Sequence, residues 1–344
     1  MPPILRNHLG LKRLDVLSAI LITFLALPPS CPAQLGGKPE KPNFALSYTQ
    51  ASGAFTPVWV AQEAGLFKKH GLEANLKILN SQVAHQALIA GELDLIATGP
   101  DLVNLRLQGA AVKYIGGTLQ QFIFQLWGTK GTASLVDLKG KTIGVTTPKT
   151  STEIATREAL KKSGVISDKD VSFTYLLTIP AILTAVMNGK ISGGTLSAPN
   201  TLKARDAGLS LLMDIAQANV PGFHLAWATT EKTIKASPNS VYAFVKALAE
   251  GTVLAKQNPI VAKKAIAKFT DTDDTKIIDG TYEQFAPYWD SALAVRSAPI
   301  QGQLMYLDEK DFPRAKDVRP ADFIDNSFAD HLKSSGFLQG LGLK

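Results

Sequence analysis

Along most of this chain, apolar positions recur either every second residue over short runs or every third and fourth over longer ones, and the two periods take turns. The first complete unit covers residues 47–79. Phe44, Leu46 and Tyr48 alternate with Ala45, Ser47 and Thr49, which predicts a strand with at least one buried face. A small polar loop follows over 50–56. There Gly53 is free to take dihedrals closed to other residues, and Thr56-Pro57 supplies a helix cap and a first helical residue. The predicted helix carries Val58, Trp59, Ala61 and Leu66 and stops at Gly71, behind a basic last turn. Residues 72–79 resume a strand. Such a unit is right-handed and parallel, and its first loop lies at the carboxyl end of a strand, where open α/β sheets bind ligands.

The same alternation continues through a helix over 83–90 ended by Gly91, a strand over 92–97, a polar loop over 98–101 that opens another helix, a strand over 112–116 and an aromatic-rich strand over 120–129. From Leu138 the pattern starts over. A strand is predicted over 141–146, a polar loop over 147–151, and a helix over 154–162 introduced by Thr150 and Glu153 at capping-box spacing. Lys161-Lys162-Ser163-Gly164-Val165 repeats Lys68-Lys69-His70-Gly71-Leu72. Residues 185–189, the strand over 191–196 and the loop over 197–200 repeat residues 87–91, their strand and the loop over 98–101. Two matches in one order predict two similar α/β lobes. FHLAWAT (223–229) echoes FQLWGT (124–129), so these strands are taken as paired crossovers, with the second lobe inserted between them. The expected plan is therefore a first lobe over 43–128, a second over 129–223, and a return over 224–344 that is mainly helical (239–256, 260–269, 273–289).

Residues 1–33 change the picture of where the chain works. Arg6, Lys12 and Arg13 lead into an apolar run of 12 residues (16–27), too short for a bilayer and suited to a secretory signal. Cleavage after Ala33 would leave a chain without cysteine, as an oxidising compartment favours. Alternatively, Leu27-Pro28-Pro29-Ser30-Cys31 acts as a lipoprotein box and Cys31 becomes a lipid anchor. Residues 34–42 read as a flexible leader in either case.

The 344 residues suffice for two lobes, and 45% hydrophobic with 19% charged residues marks a folded globular chain. The net charge of +7 loses +2 with the signal, and the remaining lysines are dispersed without interleaved aromatic residues, which argues against nucleic acid as a partner. No paired carboxylates, Ser-His-Asp order, metal-ligand spacing or phosphate loop stands in the polar loops, so neither an enzyme nor a cofactor is expected.

SGAFTPVWVAQEAGLFKKHGLE (52–73), ALIAGELDLIATG (87–99), ATREALKKSG (155–164), LSAPNTLKARDAG (196–208) and the closing SGFL (335–338) resemble exported solute-binding proteins of ABC importers in the nitrate/sulfonate/taurine-type group. That resemblance covers most of the mature chain and is more specific for fold than for ligand. It implies α/β architecture with two Rossmann-like lobes of the type II periplasmic binding protein kind, joined by two hinge strands around a ligand cleft. It also implies a periplasmic protein, expected as a monomer, that captures a small ligand and hands it to an ABC permease in the inner membrane; the cleft loops hold no Arg, so an uncharged or aromatic organic ligand and an anion held by N–H groups alone are both open. A receptor that presents its ligand to a sensor is an alternative use of the same design. Thiamin-pyrimidine synthases share the fold, but they call for a cytosolic chain with clustered His and Cys, whereas the five His here are dispersed.

With the lobes facing, the loops 50–55, 98–101, 147–151 and 197–200 meet at the carboxyl ends of strands and mostly at helix N-termini. One helix N-terminus supplies about 0.3–2 kcal/mol toward an anion, against about 8 kcal/mol for micromolar affinity, so several loops must act together in a closed cleft. The candidate ligand-binding residues are Ser52, Gly53, Ala54 and Phe55; Thr98 and Gly99; Gln121 before the first crossover; Thr150, Ser151 and Thr152; Ser197 and Asn200; and His224, with Asn219 beside it, at the second crossover. Thr150 also reads as a structural cap. Trp127 and Trp227 are expected in core or hinge packing, and His70 and His85 at the surface.

Overall fold

Two five-stranded mixed sheets carry the molecule in a computed structural model that describes residues 35–343 other than 219, 221, 223, 306 and 309. The signal-like segment, Cys31, Phe223 and Asn219 lie outside the described residues. In chain order, β1 (Asn43–Tyr48), α1 (Thr56–Glu63), α2 (Leu66–Lys69), β2 (Glu73–Ile78), α3 (Ser81–Ala90), β3 (Leu95–Thr98), α4 (Leu102–Leu107) and β4 (Val112–Leu119) alternate. They are followed by β5 (Gln125–Gly128), β6 (Thr142–Val145), α5 (Ser151–Lys162), β7 (Ser172–Tyr175), α6 (Ile179–Met187), β8 (Gly193–Leu196), α7 (Asn200–Asp206) and β9 (Ser210–Asp214). β10 (Leu225–Thr230) then leads into α8 (Glu231–Ala236), α9 (Pro238–Gln257), α10 (Pro259–Thr270), α11 (Thr275–Phe285), α12 (Ser297–Met305), α13 (Ser327–Ser334) and α14 (Phe337–Gly340).

The first sheet has the order β2-β1-β3-β10-β4 and the second β7-β6-β8-β5-β9. In each, the strand second in order is parallel to both neighbours, and the fourth is antiparallel to those beside it. The repeated pattern in the sequence thus corresponds to two sheets of one topology. Each antiparallel strand, β5 or β10, follows in the chain directly after strands of the other sheet.

That exchange corrects one expected boundary. Residues 125–128 were assigned to the first lobe, but β5 pairs with β8 from Gln125↔Leu196 to Gly128↔Gly193 and with β9 on its other edge. Leu126 and Trp127 bury in the second core, which fixes the strand there, so the first passage between sheets falls at 120–124. The strand is also shorter than the predicted 120–129. The first predicted helix is divided as well: Gly65 takes a left-handed conformation (φ 67°) and separates α1 from α2.

The larger core lies between the first sheet and α1, α9 and α10. Trp59, Trp227 and Trp289 are buried there; Trp59 lies parallel to Phe269 at 5.0 Å, and Trp227 meets Phe244 edge-on at 4.9 Å. Burying one such ring contributes roughly 1.5–3 kcal/mol. α1 and α9 approach so closely that a Cβ on Gly251 would stand 2.7 Å from the Pro57 carbonyl oxygen, which is why glycine interrupts an otherwise apolar helix. The second core joins its sheet to α5 and α6 through Ile143, Ile154, Leu160, Ile182 and Leu196. No helix among the described residues is long and apolar enough to cross a membrane.

Candidate functional site

The loops at the carboxyl ends of β1, β3 and β6 surround a cavity of about 50 Å³, counted as space for water centres, or roughly three to five waters. The first sheet contributes Thr49, Gln50 and Phe55 after β1, Ala97 to Gly99 and Asp101 after β3, and Asn80 and Ser81 at the start of α3. The second contributes Thr146, Thr147, Thr150, Ser151 and Thr152 ahead of α5, and Leu177 after β7. Phe124, His224 and Leu225 close it from the two crossovers.

Local hydrogen bonding shapes the second-lobe wall. The Thr146 N–H donates to Thr152 Oγ1 at 3.1 Å, the two hydroxyls meet at 2.7 Å, and Thr150 Oγ1 donates to the Thr147 carbonyl at 2.8 Å. The expected Thr150–Glu153 capping box does not form. The Thr150 hydroxyl turns back into its own loop, and the Glu153 carboxylate accepts instead from the Lys149 N–H at 2.6 Å, where Lys149 takes a positive φ of 62°. In the first lobe, Asn80 caps α3 by accepting from the Val83 N–H at 3.0 Å.

Asp101 is the one carboxylate among the residues lining the cavity, and its side chain is only 9% exposed. Thr98 Oγ1 donates to Asp101 Oδ1 at 3.2 Å, so His85 Nε2, 3.1 Å from the same hydroxyl, must be a donor to it; that nitrogen also lies 3.5 Å from Asp101 Oδ2. Behind them, Tyr114 donates to the Gly99 carbonyl at 2.7 Å, and burial followed by the nearby Asp101 charge raises its phenol well above the usual range. His85 therefore belongs to the support of the cavity, contrary to the expected surface position. His70 is likewise half-buried, with Nε2 3.0 Å from Glu250 Oε2 and burial lowering its pKa, because α2 packs against α9.

His224 stacks on Phe124 at 4.0 Å and accepts from the Ile123 N–H through Nδ1 at 3.2 Å, which leaves the proton on Nε2. Burial lowers its pKa to about 3, so the imidazole is neutral around pH 7. The lining residues include no Lys or Arg. Lys149, in the loop beside them, points its ammonium at Asp311 (2.8 Å) and over the Phe312 ring (4.6 Å). For a singly charged anion about 5 Å from Asp101, repulsion is on the order of 3 kcal/mol at an effective dielectric constant of about 20. The N-termini of α3 and α5 return about 0.3–1 kcal/mol each.

Of the sequence candidates, Phe55, Thr98, Gly99, Thr150, Ser151, Thr152 and His224 line this cavity; Asn219 lies outside the described residues, and Ser52, Gly53, Ala54, Gln121, Ser197 and Asn200 do not line it. Ser52 Oγ donates to the Ala198 carbonyl at 3.2 Å and lies 3.3 Å from Ser197 Oγ, and the Gly53 N–H donates to Ala198 at 3.3 Å. These buried contacts join the lobes directly. Gly53 is required by close packing and not by unusual dihedrals: a Cβ there would meet Phe285 Cδ2 at 2.5 Å and Thr281 Cγ2 at 2.7 Å. Ala54 is in the first core, and Asn200 is buried at the start of α7. Gln121 lines a different hollow with Phe122, Val220 and Arg296. Thr49, Gln50, Asn80, Ser81, Ala97, Asp101, Phe124, Thr146, Thr147, Leu177 and Leu225 also line the first cavity and are not among the candidates, although Gln50, Asp101 and Thr147 fall in the expected loops. Asn80-Ser81 carried a readable signal, a cap residue opening a helix after a strand, whereas Leu177 and Phe124 are brought in by packing alone.

A protein of Brucella abortus, provisionally named as a binding protein, is 28% identical over 222 residues, 63% of this chain and 68% of the relative. A solved structure of a Bordetella bronchiseptica protein matches with a TM-score of 0.75 at 19% identity, over 87% of this chain and 99% of that one. The alkanesulfonate-binding protein SsuA of Xanthomonas axonopodis matches at 0.71 and 16% (85% and 100% covered), and the periplasmic nitrate-binding protein NrtA of Synechocystis at 0.69 and 12% (88% and 90% covered). These likenesses establish the two-lobed fold of periplasmic binding proteins. A family model described as NMT1/THI5 like matches residues 52–262, more than half of the sequence, and the chain accordingly belongs to the NMT1/THI5-like family.

Proposed function

We propose that this chain is an extracytoplasmic solute-binding protein that closes two lobes on a small organic ligand and delivers it to an ABC-type importer. The observation that carries this reading is the cavity itself, walled by loops from two sheets of identical strand order and crossed by two connecting segments. Contacts made by both lobes at once exist only when the lobes are together, so ligand binding and closure are one equilibrium. The names of the structural neighbours, binding proteins for alkanesulfonates and nitrate, support the same reading, as does that of the Brucella relative. With the signal-like residues 1–33, they support a periplasmic location, the chain being free after cleavage behind Ala33 or anchored through Cys31.

The test is a thermal-shift screen with nitrate, sulfonates, aromatic acids, amides and pyrimidines. A ligand at 100 times its Kd adds about 2.7 kcal/mol to stability, a rise of several degrees in Tm. A protein that none of these compounds stabilises is not a small-solute receptor of this kind.

A further inference from the structure

The cavity has one charged group on its wall, the Asp101 carboxylate, and that group is not neutralised by a cation from the wall. It accepts a hydrogen bond from the Thr98 hydroxyl and has His85 Nε2 3.5 Å away, both on the first-lobe side. A carboxylate accepts only, and two oxygens offer about four sites, of which these partners use part. On the opposite wall, residues 150–152, the Thr150 and Thr152 hydroxyls are bonded within their own loop, and the Ser151 hydroxyl can donate or accept as the ligand requires. Lys149 is turned outward onto Asp311, and Glu153, in the first turn of α5, places a second carboxylate, paired with Arg157, behind the helix end that would otherwise attract an anion. Phe55 and Phe124 provide an apolar wall.

We infer that the cleft selects an uncharged or cationic nitrogen compound, an amide, amidine or amine with a compact apolar part, whose N–H groups donate to Asp101, and that it rejects organic anions. This rests on the solute-binding reading and makes Asp101 the specificity-determining residue. The inference departs from the anionic ligands named for the sulfonate- and nitrate-binding neighbours, and it depends on this chain's own side chains.

The test uses two probe series, each a planar isosteric set with a sulfonate added, acetamidine, acetamide, acetate and methanesulfonate, and benzamidine, benzamide, benzoate and benzenesulfonate, at mildly alkaline pH where imidazoles are neutral. Thermal shift and calorimetric titration are recorded on the full mature chain and on Asp101→Asn, whose amide oxygen can still accept from Thr98. The amidine and amide of at least one series should bind the wild-type protein, with the matching carboxylate and sulfonate weaker by about tenfold or more. Asp101→Asn should remove the preference for amidine over amide. Binding of a carboxylate or sulfonate as tight as the amide overturns the charge selection and leaves the receptor reading standing, and so does an unchanged preference in Asp101→Asn. Silence of all eight probes counts against both. If Asp101→Asn fails to fold, the ranking by charge on the wild-type protein decides alone.

Discussion

The loops at the sheet ends meet in two diagonal pairs that have come to do different work. The loop after β1 (50–55) faces the loop after β8 (197–200), and the loop after β3 (98–101) faces the loop after β6 (147–151). By the common strand order these pairs are equivalent, first loop of one lobe to second loop of the other. Yet the first pair is joined by buried hydrogen bonds through Ser52, Gly53, Ser197 and Ala198, while the second, although Gly99 lies close to Ser151, borders the cavity. The difference comes from outside the repeat. α11, which has no counterpart in the second lobe, sets Thr281 and Phe285 against Gly53 and reaches across to α7 through Gln284, whose side chain accepts from Thr201 at 2.8 Å. One pair became a joint, and the other kept the space.

The largest effect should separate the two glycines of these pairs. Gly53→Val has to displace Phe285 and Thr281 and should cost about 2–3 kcal/mol in chemical denaturation. Gly99→Ala, whose added methyl meets Asp101 and Ser151 at 3.2–3.4 Å, should cost under about 1 kcal/mol and act mainly on ligand affinity. Equal stability losses would erase the distinction between joint and cavity.

The titration of His224 acts only as the solution becomes acidic. Above pH 6.5 the imidazole is neutral folded or unfolded and contributes no slope. Between pH 6.5 and about 3 the unfolded chain takes up a proton that the folded one refuses, so stability falls as pH falls, by up to about 1.4 kcal/mol per pH unit. His224→Asn, which keeps an acceptor for Ile123, should flatten that part of the profile in urea melts at neutral and acidic pH. A slope identical to wild type would mean that the ring is not held neutral.

The smallest effect concerns the joint. A double-mutant cycle of Ser52→Ala and Ser197→Ala should show a coupling of about 1 kcal/mol. A coupling near zero would make the contact incidental.

The repeat was readable because its punctuation is local: Gly71 and Gly164 after basic turns, Gly91 and Gly189 before strands, each at positive φ as a helix stop requires. The loops were readable for the same reason, as caps and small residues at strand ends. Which loops would touch and which would part was not, since Ser52-Gly53 and Thr98-Gly99 look alike in one dimension. Only the long-range arrival of Phe285 tells them apart. The contribution of His85 was hidden for a related reason: Thr98, thirteen residues away, meets it only once α3 lies against β3.

The exchanged strands also bear on how the molecule comes into being. β10 separates β3 from β4 in the first sheet, pairing Ala226 with Thr98 and Gly117 across more than a hundred residues. A chain emerging from the ribosome therefore holds β4 without a neighbour until residues near 230 have been made, and the ordering entropy of that long closure is recovered only then. A fragment ending before Leu225 should remain an unfinished sheet, open to the machinery that moves unfolded chains.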